Sequence, residues 1–125
     1  MKHSTQYSQA ALGAIAALQI VMLASMLAQL PPHPPLTTPL FALGPFLGAS
    51  IAIAIAGLIL GTGGTRTGAI ISIIAAVLAL VSFGPQKWAD AAIPQIWPAV
   101  LLGQIAAAVI IGCAFKTLRR SQTAT

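Results

Sequence analysis

The sequence predicts an all-α fold, a four-transmembrane-helix bundle with both termini on the cytoplasmic side. Three observations carry that expectation. Of the 125 residues, 58% are hydrophobic and only 6% charged, against about 25% charged in ordinary soluble domains. The apolar residues fall into four runs of near-spanning length, divided by proline and glycine clusters. The six basic residues are spread unevenly about those runs.

The first run, Ala10–Leu30, holds 21 residues without a charge. As a helix it would measure about 31 Å, against about 30 Å for the hydrocarbon layer. It exceeds the apolar core of a secretory signal, about 7–15 residues, and is followed by Pro31-Pro32-His33-Pro34-Pro35 rather than a cleavage site, so an uncleaved first span is expected. The prolines end the helix because they lack the amide donor and clash with the preceding turn. The second run, Leu40–Leu60, carries Pro45 in its first turns, where a missing donor matters least. Gly61-Thr62-Gly63-Gly64-Thr65-Arg66-Thr67 then supplies glycines suited to a helix C-cap. The third span reads as about 66–83, with Arg66 snorkelling to the headgroups. The fourth reads as 98–115, with Pro98 at the first helical position.

Between the last two spans lies Gly84–Trp97, which holds both tryptophans. Indoles collect at the membrane–water boundary, so this is expected to be an interfacial linker with a short surface helix between Lys87 and Ile93. Lys87 and Asp90 within it have the spacing of one helical turn. No connecting piece is long enough to fold alone, and 1–125 reads as a single integral membrane domain.

Orientation follows from the basic residues. With four spans, the N-terminus, the 61–67 turn and the C-terminal tail share one side and carry Lys2, Arg66, Lys116, Arg119 and Arg120, whereas the other side has only Lys87. That asymmetry predicts cytoplasmic termini, and a bacterial inner membrane is the expected location. The formal charge of +5 is scattered over segment ends, which fits anionic lipid headgroups rather than nucleic acid. Trp88, Trp97, Lys116, Arg119 and Arg120 are the expected interfacial anchors.

Lipid tails are as apolar as leucine, so membrane helices associate through close packing at small residues. Gly44/Gly48 and Gly57/Gly61 are GxxxG pairs at the two ends of the second span, and Gly103, Ala107 and Gly112 give the fourth a small face. Gln19 and Gln29 in the first span and Gln104 in the fourth are candidate polar contacts inside the membrane. Interhelical hydrogen bonding is one reading of them, lining a polar pathway the other.

Several chemistries lack their residues. One acidic residue, Asp90, no Glu and no Asn exclude paired-carboxylate catalysis. Cys113 is the only cysteine, and His3 and His33 lie outside the spans, so no disulfide, metal-ligand spacing or haem ligation is expected. No ionisable residue falls within a span as bounded above, apart from Arg66 at the edge of the third, against the usual requirement of ion-coupled transport. The expected role is therefore non-enzymatic and without cofactor. It is that of an accessory, assembly or scaffold subunit acting on a lipid bilayer, in a larger membrane complex or by self-association. The alternative is a small oligomeric channel or transporter for an uncharged or apolar solute.

Overall fold

A computed structural model describes the backbone of residues 2–28, 40–89 and 93–123, with side chains except those of residues 2–5, 40–41, 87 and 95. Among them are four α-helices, α1 (Lys2–Ala28), α2 (Leu40–Leu60), α3 (Arg66–Phe83) and α4 (Ile93–Thr123), and a 3-10 turn, Pro85–Ala89. All four α-helices are long and apolar enough to cross a membrane. Gln29, the proline-rich loop and Asp90 lie outside the described residues, as does the side chain of Lys87, so the Lys87–Asp90 pairing is not part of this description.

Two helices are longer than the hydropathy runs. α1 begins at Lys2 rather than Ala10, because residues 2–9 are polar but contain neither glycine nor proline. Ser8 is fully buried, so packing already holds the second turn. α4 starts at Ile93, which moves Trp97 from the linker onto the helix and Pro98 from its first to its sixth position. Pro94 occupies a position whose N–H has no intrahelical acceptor, and Pro98 removes only the donor that would reach the Pro94 carbonyl. At the other end, nothing between Lys116 and Gln122 breaks the helix, and it continues to Thr123. The short helix of the linker is the 3-10 turn at Pro85–Ala89, nearer α3 than the predicted Lys87–Ile93.

The α2–α3 turn is closed by local hydrogen bonds. Gly61 adopts φ 81°, and its N–H donates to the Gly57 carbonyl at 2.9 Å, the left-handed cap that glycine permits. Thr65, extended at φ −142°, caps α3 by accepting from Gly68 N–H at 2.9 Å. At the far end of α3, Gln86 Nε2 donates to the carbonyls of Leu80 at 3.0 Å and Val81 at 2.9 Å, two acceptors the helix leaves open.

The helices form a ring in which each touches the next and α4 closes against α1, while α2 and α4 do not meet. Position 57 of α2 faces Leu12 of α1 and Ser50 faces Gln19, so α1 and α2 run antiparallel. Gly57 near the end of α2 lies against Ser72 early in α3, and Phe83 at the end of α3 against Gly103 early in α4, so the chain reverses again between α2 and α3, and between α3 and α4. The core holds Leu12, Ile15, Leu47, Val100 and Ile110 around Ala54, Ala75, Ala76, Ala79 and Ala107, all essentially inaccessible. Alanine at these positions lets the backbones approach closely, which is how apolar helices gain association energy in lipid.

The two hairpins bury matching patterns. After Pro45, α2 buries Leu47, Ser50, Ala54 and Gly57; at the same spacings after Pro98, α4 buries Val100, Gly103, Ala107 and Ile110. Ser8, Ala11, Leu12, Ile15 and Gln19 of α1 recur in spacing as Ser72, Ala75, Ala76, Ala79 and Phe83 of α3. The contacts recur too: Gln19 meets Ser50 where Phe83 meets Gly103.

Candidate functional site

Among the described residues, polar side chains meet one another at three hydrogen-bonded stations, and Ser8 and Ser82 are buried besides. The first joins α1 to α2. Gln19 is fully buried; its Nε2 donates to Ser50 Oγ, and its Oε1 is buried without a partner among the described residues. Turning the amide end for end would let Ser50 donate to the oxygen and would strand the nitrogen instead. One end of this amide is unpaired in either orientation. At the equivalent place in the second hairpin, Phe83 lies against the bare backbone of Gly103, where an added Cβ would come within 2.8 Å of the phenylalanine Cβ. A polar pair in one hairpin thus replaces an aromatic-on-glycine contact in the other.

The second station secures the turn between α2 and α3. Ser72 Oγ donates to the Gly68 carbonyl at 2.7 Å, which uses its only proton. The 2.8 Å bond between the Thr62 and Ser72 hydroxyls therefore has Thr62 as donor. Thr62 is buried although it lies in a turn, and position 68 is so close to the Gly61 carbonyl, 2.1 Å from an added Cβ, that only glycine fits. The third station is nearer the surface. Trp88, 46% exposed, donates its indole N–H to Gln104 Oε1 at 3.3 Å. Gln104 Nε2 is buried without a partner among the described residues.

The small residues singled out in the sequence take three different positions. Gly57 sits between Ser72 Oγ and the Leu12 methyls, 3.1 Å and 3.4 Å from an added Cβ, and Gly103 lies against Phe83; Ala107 belongs to the core. Gly61 serves the turn rather than a helix seam. Gly44, Gly48 and Gly112 have nothing within 4 Å of an added Cβ, so among the described residues they approach no neighbouring helix. Gly48 and Gly112 are exposed on the outer surface.

Of the expected anchors, Trp97 is 48% exposed on α4, and Lys116, Arg119 and Arg120 are exposed in its last turns. Ser8 and Gln86 were not singled out from the sequence. Ser8 falls on the stripe of Leu12, Ile15 and Gln19, a spacing that marks a buried face; Gln86 offers no comparable signal, because its role depends on how the chain turns after Gly84. No group of three His, Cys, Asp or Glu able to hold a metal occurs among the described residues. Comparison with protein-family models, with curated proteins and with solved structures finds no match to this chain.

Proposed function

We propose that this chain is a multi-pass protein of the cell membrane, both termini cytoplasmic, that serves as a non-catalytic accessory or assembly subunit of a larger membrane complex. The observation that carries this reading is the outer face of α2. Pro45, Gly48, Ala49 and Ala52 form a smooth exposed stretch over its first turns, ahead of Ile55, Ile59 and Leu60, which are exposed toward its end; α1, α3 and α4 expose the large side chains Ile20, Val21, Ile70, Ile74, Val77, Leu101, Leu102 and Ile105. A smooth surface of that kind suits another membrane helix, because small residues let helix backbones come close. Purification of the tagged chain in mild detergent tests the proposal. A partner retained in fixed stoichiometry by the wild type and lost from Gly48→Leu is the expected result. Recovery of the chain only by itself would sink it.

The solute-channel reading is supported by the unpaired Gln19 Oε1 and Gln104 Nε2, an acceptor and a donor inside a bundle of four apolar helices. It requires flux of a neutral solute into liposomes that falls in Gln19→Leu. Flux equal in wild type, variant and empty vesicles would remove this alternative.

A further inference from the structure

We infer that the basic end of α4 holds the phosphate of an anionic phospholipid whose acyl chain lies along the outer face of α4. This rests on the membrane reading above and names the lipid chemistry that the bundle would select.

The packing of α3 on α4 sets the cations at one end of the bundle, and helical spacing turns Lys116 and Arg119 to the face of α4 away from α3. Phe83 faces Gly103, and the two helices run antiparallel. Arg66 is seventeen residues before Phe83 and Arg120 seventeen after Gly103, so at the helical rise both stand about 25 Å along the bundle from that contact. The first turn of α3 and the last turns of α4 therefore share one level, with Arg66, Lys116, Arg119 and Arg120 exposed there. The sequence holds one acidic residue, Asp90, and none in the segments that carry Arg66, Lys116 and Arg119. A concentration of cations without side-chain anions, at the boundary of an apolar surface, is complementary to an anionic headgroup.

The surface next to those cations fits the rest of a lipid. Ile105, Ala108, Gly112, Lys116 and Arg119 recur at helical spacing on one face of α4, and all are exposed. Nothing lies within 4 Å of an added Cβ at Gly112. Ala108 and Gly112, small and exposed, leave a low stretch of surface between the larger side chains of Ile105 and Phe115, which are 54% and 55% exposed. One methylene chain can lie in it with its headgroup phosphate reaching Lys116 and Arg119. Arginine supplies forked donors suited to phosphate oxygens, lysine a mobile point charge.

The test uses the full chain reconstituted in nanodiscs with equal parts phosphatidylcholine and phosphatidylglycerol, then released and weighed by native mass spectrometry. The wild type should retain phosphatidylglycerol in preference to phosphatidylcholine. Retention should fall about fivefold for each charge removed in Lys116→Gln and Arg119→Gln. Gly112→Leu, which fills the low stretch and keeps every charge, should also lower it. Inorganic phosphate at tens of millimolar should leave the lipid in place; full displacement by phosphate would assign the cations to a free anion and overturn the proposal. Equal retention of the two lipids, or unchanged retention in the charge variants, would overturn it as well. A chain that does not enter the nanodisc at all would instead defeat the membrane reading.

Discussion

At the scale of single residues, this protein is governed by which small and polar groups have a neighbour. Gln19 places an amide in the core and pairs only one end of it, and an unpaired buried polar atom costs about 1–3 kcal/mol. Gln19→Leu should therefore leave stability unchanged or raise it by about 1 kcal/mol, since Ser50 can bond back to its own helix. Thermal unfolding in detergent checks this; a large loss would mean that the amide has a second partner. The glycines divide in the same way. Gly103→Ala drives a methyl into Phe83 and should cost about 1–3 kcal/mol, whereas Gly48→Ala meets nothing and should stay within about 0.5 kcal/mol of wild type. Sequence spacing treats these two glycines alike. Only the neighbour, supplied by a different helix, separates them.

At the scale of elements, helix ends are decided by local chemistry where a glycine or capping residue is present, and by packing elsewhere. The end at Leu60 was readable because Gly61 is the residue that such an end requires, whereas the cap that Thr65 gives to α3 emerges from the structure. The beginnings of α1 and α4 were not readable, because polar stretches without glycine or proline continue a helix as readily as apolar ones, and hydropathy records only the part suited to lipid. Pro98 misled for a related reason: proline is tolerated across the whole unpaired first turn and just beyond it, so it marks a region rather than a residue. The α2–α3 turn makes a prediction of its own. Thr65→Ala should cost about 1 kcal/mol through the lost cap. Gly68→Ala should cost more, about 3 kcal/mol, because its methyl would collide with the Gly61 carbonyl. Equal losses in the two variants would show that the turn opens to admit the methyl.

At the scale of the whole molecule, antiparallel order brings the start of α1, the α2–α3 turn and the end of α4 to one end of the ring, and with them every basic residue except Lys87. A cytoplasmic position for that end is our expectation from charge. Reporter fusions at Thr125 and at His33 should therefore read opposite sides, with Thr125 cytoplasmic; the same side for both would require an odd number of spans. The matching burial of the two hairpins belongs to this scale as well. Side-chain identity carries it only in part: Ser8 and Ser72, Ala11 and Ala75, and Ala54 and Ala107 correspond and are identical, whereas Leu47 corresponds to Val100, Ser50 to Gly103 and Gln19 to Phe83, so the property shared throughout is burial at a fixed spacing.

By themselves, the residues determined four apolar helices, the position of the central turn and the gathering of positive charge at one end, because helix length, turn chemistry and charge are properties of contiguous sequence. Tertiary structure alone decided which glycines carry the packing and which face outward, that Gln19 is half satisfied by Ser50, and that α4 closes the ring against α1. Each of these depends on a contact between helices far apart in the chain. A run of alanine, glycine and isoleucine offers many faces of nearly equal hydrophobicity, so periodicity leaves open which of them turns inward.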